Sequence, residues 1–281
     1  MASAPLVELV HPGRLTSIAD VGANPIDGDP PYRAMLDAGL CRVIGFEPQP
    51  EALAELVRNK GPLETYLPYA VGDGETHTLH VAAASGMTSM LPPDPRRLAM
   101  FTGFPPWGEV IGEVSLPTKR LDDIAELPDV DLLKIDIQGG ELAVFLGGSA
   151  TLGNAVAVHT EVSFVPLYED QPVFGDIDHD LRNRGFIPHT FAAIKHWAIA
   201  PVTFAGDFRV PGNQLLEADV VYVRDFGRAE DLTDEQLRQL AMIAHHIYGS
   251  VDLAYFCVMK LAERGLADPG APNEYLMGVK A

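Results

Sequence analysis

The chain has 281 residues, 47% of them hydrophobic and 21% charged, enough for one large core or one domain with a smaller helical piece. It carries 20 Lys and Arg against 39 Asp and Glu, a formal net charge of −19. That balance argues against binding the phosphates of DNA or RNA and against anionic membrane surfaces, and two cysteines, Cys41 and Cys257, are too few for a disulfide framework or a thiolate zinc site.

The residues after Met1 lack the basic, apolar and small-residue regions of a secretory signal, and no apolar run is long enough to span a bilayer. The expectation is a cytoplasmic protein without a membrane span. Residues 1–16 read as a surface lead-in. Ser17-Ile18-Ala19-Asp20-Val21-Gly22 reads as a short buried strand running into a glycine turn at Gly22-Ala23-Asn24, closed by Pro25. Glycine there lets a ligand approach the backbone closely. A helix is expected from about Pro31 to Gly39, since proline at a first helical turn wastes no hydrogen bond.

A second strand, Arg42 to Glu47, ends in a carboxylate, and Pro50 and Glu51 open a helix that Gly61 and Pro62 stop. Thr65 to Val71 reads as a third strand ending at Gly72-Asp73-Gly74, and Glu75 to Ala83 as an antiparallel addition. Residues 85–113 lose all periodicity and mix turn residues with apolar ones, including Trp107, which points to a lid or substrate loop. Glu113 to Leu121 is extended, and Asp131 to Asp136 is a clear strand. A helix at Glu141–Leu146 and a strand at Ala155–Glu161 follow. Phe174 to Asn183 is helical, with further strands near Gly185–Phe191 and Asp219–Val223. The tail carries two helices, the first opened by the capping-box pattern Thr233-Asp234-Glu235-Gln236. Strands alternating with helices predict an α/β fold with a Rossmann-like, doubly wound, mostly parallel sheet, a main domain over 17–228 and a helical extension over 229–281.

In such a sheet, ligands lie beyond the carboxyl ends of the strands. Five strands bring polar groups there: Asp20, Gly22 and Asn24; Glu47; Asp73; Asp136 and Gln138; His159 and Glu161. A carboxylate ending the second strand can accept bonds from both ribose hydroxyls and repels a 2′-phosphate. The first turn has one early glycine and nearby acids, Asp20 and Asp27, which repel a pyrophosphate but suit a sulfonium and an ammonium. This favours S-adenosylmethionine (SAM) over NAD.

Ile18-Ala19-Asp20-Val21-Gly22-Ala23-Asn24, Gly45-Phe46-Glu47-Pro48, Ala70-Val71-Gly72-Asp73 and Leu133-Lys134-Ile135-Asp136-Ile137-Gln138-Gly139-Gly140-Glu141 together resemble the FkbM family of SAM-dependent methyltransferases, from about residue 17 to about 224. The resemblance implies a seven-stranded sheet whose last strand is antiparallel, and O-methylation of a hydroxyl on a sugar, glycan or small secondary metabolite. It implies that Asp20, Gly22, Ala23 and Asn24 hold the methionine end of SAM, Glu47 and Pro48 the ribose, and Asp73 with its neighbours the adenine. Asp136 then faces the methyl group. Gln138 stands where the family often has Glu, and Pro25 replaces a small or flexible residue.

A hydroxyl attacks a methyl carbon readily only if its proton is taken. Asp136, His159 and Glu161 are the candidates, His159 and Glu161 sharing one face of their strand, where the carboxylate would hold an imidazolium. The same three could ligate a divalent metal, although their spacing does not require it. Tyr168, His189 and His196 are candidates for an acceptor wall with Trp107, and the apolar tail helices suggest a homodimer. The competing readings are an NAD-dependent oxidoreductase and a nucleoside-binding protein without catalysis.

Overall fold

The computed structural model describes residues 5–24 and 28–279, so the expectations placed on Pro25 and Asp27 lie outside the described residues. The strands are β1 (Thr16–Val21), β2 (Cys41–Phe46), β3 (Glu64–Leu67), β4 (Ala70–Val71), β5 (Thr76–Ala82), β6 (Val110–Lys119), β7 (Leu132–Ile135), β8 (Ala157–Ser163), β9 (Phe186–Trp197) and β10 (Gln214–Arg224). Seven of them form one sheet in the order β3-β2-β1-β7-β8-β10-β9. β3, β2, β1, β7 and β8 pair in parallel, and β10 runs antiparallel to both β8 and β9. The expected Rossmann-like sheet with an antiparallel last strand is therefore present. A second sheet, β4-β6-β5, stands beside it.

The helices are α1 (Leu6–Val10), α2 (Arg33–Asp37), α3 (Pro50–Asn59), α4 (Pro95–Leu98), α5 (Phe104–Trp107), α6 (Glu141–Gly147), α7 (Ser149–Asn154), α8 (Phe174–Asn183), α9 (Asp234–His246), α10 (Val251–Glu263) and α11 (Ala271–Gly278). Period-two alternation sends successive strand residues to opposite faces. Ala19, Val21, Leu133, Ile135 and Val158 pack with Val144 and Phe145 of α6 and Ile177 and Leu181 of α8. Ile18, Val43, Leu132, Ala157 and Val221 pack with Leu237, Leu240 and Ala241 of α9 and Ala254 and Val258 of α10.

Three expectations change, and the segment expected as a lid or substrate loop gains detail. Residues 65–71 are not one strand: β3 stays on the main sheet, and after Pro68-Tyr69 the chain changes sheet to form β4. The lead-in is not a surface segment, because Leu6, Leu9 and Val10 of α1 are buried with the tail helices. The tail has a third helix, α11, and its apolar faces are packed on the sheet of the same chain, so those faces carry no argument for a dimer. Residues 85–113 are ordered: a turn at Ser85–Met87, α4, α5 and the start of β6, with Leu98, Phe101 and Phe104 buried.

Candidate functional site

The strands paired in register place Asp20 beside Lys134 and Lys134 beside His159, one row of polar residues across β1, β7 and β8. Glu161, two residues past His159, pairs with Asp219 of β10 and lies on the same face. Below this row the same face is apolar and covered by α9 and α10. Above it the face opens into a cavity of about 740 Å³. Asp20, Gly22, Ala23, Asn24, Glu47, Pro48, Asp136, Gln138 and His159 all line that cavity, as does Trp107.

The turn after β1 is built for close approach. Gly22 has φ +80°, and a Cβ there would lie 2.2 Å from the Asp136 carbonyl oxygen. The Gly22 and Ala23 amides donate to the Phe46 carbonyl at 3.2 and 3.1 Å, which locks the turn to the end of β2. Asp20 is 2% exposed; Tyr32 donates its hydroxyl to Oδ2 at 2.5 Å, and Lys134 Nζ lies 3.2 Å from Oδ1. Lys134 also donates to the Gly22 carbonyl at 3.3 Å. Burial works against its ammonium, but Asp20 and Asp136 outweigh burial and hold its pKa above the ordinary lysine value. Tyr32 holds one Asp20 oxygen, while Oδ1 faces the Lys134 ammonium without a hydrogen-bond partner among the described residues. No sequence argument singled out Lys134. The signal was there: a lysine inside the apolar run Leu132-Leu133-Lys134-Ile135 has to find a buried partner.

Glu47 is also buried. Its Oε1 accepts from the Gln49 amide at 2.7 Å, and burial raises its pKa despite that bond. Beyond β7 the chain turns through Gln138 at φ +58° and Gly139 at φ +101°. This left-handed turn brings the Gln138 amide nitrogen within 3.0 Å of both Asp136 Oδ1 and Glu161 Oε2. Buried Glu141 accepts from the Ile137 and Gly139 amides at 3.0 and 3.3 Å, and burial pushes its pKa up to about 7.

The expected His159–Glu161 pair does not form. His159 Nδ1 lies 3.2 Å from the Tyr248 hydroxyl of the tail, and burial followed by the neighbouring Lys134 lowers its pKa to about 4. An imidazolium is disfavoured there, not held. Burial, Asp136 and Glu217 push Glu161 well above the ordinary carboxylate range, and it does not line the cavity. Among the described residues no three His, Cys, Asp or Glu side chains come together as a metal site. Between Asp136 and Glu161 stands the side-chain amide of Gln138, whose Nε2 donates to both.

Four other candidates lie elsewhere. Asp73 sits outside the cavity, bonded to His77 at 2.8 Å, the Glu75 amide at 2.9 Å and Thr118 at 3.3 Å. Tyr168 is buried outside the lining and donates to the Met87 carbonyl at 3.1 Å. His189 meets Ser250 at 2.8 Å, and His196 is not in the lining. In their place β9 and β10 deliver Lys195, Trp197, Leu216, Glu217 and Asp219. Lys195 Nζ and Glu217 lie 2.7 Å apart, and burial followed by Asp136 raises the Asp219 pKa.

Residues 20–188 match the family model described as the methyltransferase FkbM domain, which is more than half of the chain. The chain belongs to the FkbM methyltransferase family. This FkbM-family chain is 30% identical over 166 residues to the 2-O-methyltransferase NoeI of Sinorhizobium fredii, a match covering 55% of the chain and 66% of that relative, just under two thirds of its length. A solved structure of methyltransferase FkbM from Methylobacillus flagellatus aligns at 14% identity and TM-score 0.40, over 79% of this chain and 48% of the other. Magnesium protoporphyrin IX methyltransferase from Synechocystis, solved with bound SAM, aligns at 12% identity and TM-score 0.37, over 78% and 76%. Likenesses at that level carry no argument about activity.

Proposed function

We propose that this chain is a SAM-dependent O-methyltransferase acting on a hydroxyl of a sugar, glycan or small secondary metabolite. The observation that carries the reading is the single cavity shared by Gly22, Glu47, Lys134 and Asp136 at the carboxyl ends of β1, β2 and β7. Membership of the FkbM family and similarity to a protein named as a 2-O-methyltransferase support it.

The side chains present fit SAM. Glu47 keeps one oxygen without a partner among the described residues for ribose hydroxyls, and Asp136 offers a carboxylate toward positive charge. Lys134 donates to the Gly22 carbonyl and faces Asp20, and its ammonium has donor capacity left for a ligand carboxylate. When bound, SAM supplies an electrophilic methyl group. The chain's task is to hold the acceptor oxygen in line with it and to exclude water. Asp136, kept in place by Gln138, is the group assigned to the acceptor hydroxyl. His159, held neutral and oriented by Tyr248, lines the same space as a neutral ring nitrogen.

The test is transfer of labelled methyl from SAM to a panel of hydroxyl compounds. Label appearing in an ether product supports the reading. Label appearing only on nitrogen or carbon acceptors, or none with SAM bound, contradicts it.

A further inference from the structure

The internal wiring of the site leaves Asp219 out. This carboxylate lines the cavity from β10, yet it forms no hydrogen bond and no ion pair among the described residues. Two lysines act on it through space, and both are engaged elsewhere. Lys134 faces Asp20 and donates to the Gly22 carbonyl, and Lys195 lies 2.7 Å from Glu217. Asp219 is only half-buried, so its carboxylate is open to the cavity rather than sealed behind the lining.

Strand register says where it stands. Asp219 is opposite Glu161 of β8. On the other side of β8, Ile135 is opposite Thr160, so the next residue, Asp136, comes level with Glu161. Gln138 Nε2 confirms the closeness by lying 3.0 Å from both Asp136 Oδ1 and Glu161 Oε2. The Asp136 amide still donates to the Val21 carbonyl at 3.1 Å, which holds the residue in the ladder. Asp136, Glu161 and Asp219 thus form a row one side-chain step beyond Lys134 and His159, on the same face. Glu161 is buried and outside the lining, whereas the two outer carboxylates both line the cavity.

The proposed function places SAM over β1, β2 and β7, with its methyl group at Asp136. The acceptor then comes in over β8 and β10, past Asp219. Neighbouring strands lie about 4.8 Å apart, so roughly 10 Å separates β7 from β10. A hydrogen bond of about 2.8 Å at each carboxylate leaves about 4 Å between the two acceptor oxygens. Oxygens on neighbouring or alternate carbons of one molecule fit that span. Two carboxylates facing one space repel each other, and a hydroxyl hydrogen donated to each offsets the repulsion.

We propose, resting on the methyltransferase reading above, that Asp219 binds the acceptor through a second hydroxyl, so that the substrate is a diol or polyol with two hydroxyls on neighbouring or alternate carbons. The first hydroxyl gives its proton to Asp136 as its oxygen takes the methyl group. The second donates to Asp219 and does not react. Asp219 thereby selects which hydroxyl of the acceptor is brought into line.

Calorimetry with S-adenosylhomocysteine comes first, on wild type, Asp219→Ala and Asp219→Asn. Transfer of labelled methyl from SAM is then measured with cis- and trans-cyclohexane-1,2-diol and with cyclohexanol. A fourth probe, trans-2-methoxycyclohexanol, keeps the second oxygen but has no hydrogen to donate from it. The better diol is expected to exceed both cyclohexanol and the methoxy compound at least about tenfold in kcat/KM. Asp219→Ala is expected to lower the diol's kcat/KM about tenfold, mainly through KM, and to close the gap to cyclohexanol while S-adenosylhomocysteine still binds. Asp219→Asn, which keeps an acceptor oxygen without the charge, is expected to fall between. A purely structural role would lower both alcohols together. Equal rates for diol and cyclohexanol in wild type, no transfer to either diol, or a diol preference that survives in Asp219→Ala overturns the inference. So does loss of S-adenosylhomocysteine binding in both variants. A methoxy compound as good as the diol overturns the donated hydrogen bond. Failure of wild type to bind S-adenosylhomocysteine overturns the proposed function itself, a result separable from the others.

Discussion

The two sides of the cavity are built on opposite plans. On the β1–β7 side, buried charges are wired to each other: Tyr32 to Asp20, Asp20 to Lys134, Gln138 to Asp136 and Glu161. On the β10 side, rings pack on rings beside the Lys195–Glu217 pair and Asp219. A wired site is rigid and sensitive to the loss of any one partner, because an unpaired buried charge is costly. An apolar wall tolerates exchange of similar volumes and sets preference by shape.

That contrast can be broken most sharply at Asp136. Asp136→Asn should lower turnover about 10²–10⁴-fold while S-adenosylhomocysteine still binds in calorimetry, since an amide cannot take the hydroxyl proton. Unchanged turnover removes Asp136 from the chemistry. Next in size is Lys134→Met, which strands the Asp20 carboxylate. Urea denaturation should show a loss of about 3–5 kcal/mol, and a loss under about 1 kcal/mol would mean the wiring is only decorative.

His159 supplies a pH test on the same row. Its folded pKa of about 4 lies below the ordinary value near 6.5, so the unfolded chain binds the extra proton between those values. Stability from this group is intact above about pH 6.5 and falls as the pH drops toward 4, by roughly 3 kcal/mol in all. Glu141, raised to about 7, slopes the other way between its ordinary value and neutrality. The readout is therefore wild type minus His159→Gln across that window. A difference that stays flat with pH would place the ring in water. The smallest expected effect is at the turn: Gly22→Ala should cost at least about 1–2 kcal/mol for the left-handed backbone, and the clash with the Asp136 carbonyl should weaken S-adenosylhomocysteine binding as well. A variant as stable and as tight-binding as wild type would show that the turn moves freely.

The wired side was the legible one. Asp20, Gly22, Glu47 and Asp136 sit at or just past the carboxyl ends of β1, β2 and β7, and strand order fixes where strand ends go. The aromatic side was not legible, for physical reasons. The segment 85–113 has no period, so nothing local says that Phe104 and Trp107 turn inward. Trp197 reaches the cavity only because β9 runs on to residue 197, well past the Gly185–Phe191 stretch expected to be strand. Asp73 misled because a strand end was assumed where the chain in fact leaves the main sheet at Pro68-Tyr69. His159 misled because its partner, Tyr248, lies 89 positions away in the turn between α9 and α10, which no local pattern connects to it.

The central claim is that the rim joining β1, β2 and β7 receives a methyl-donor nucleoside. Calorimetric titration of the full chain with S-adenosylhomocysteine and with NAD addresses it directly. The account predicts saturable binding of one S-adenosylhomocysteine per chain, weakened by Glu47→Gln, and no saturable binding of NAD. Saturable NAD binding with none of S-adenosylhomocysteine would contradict it.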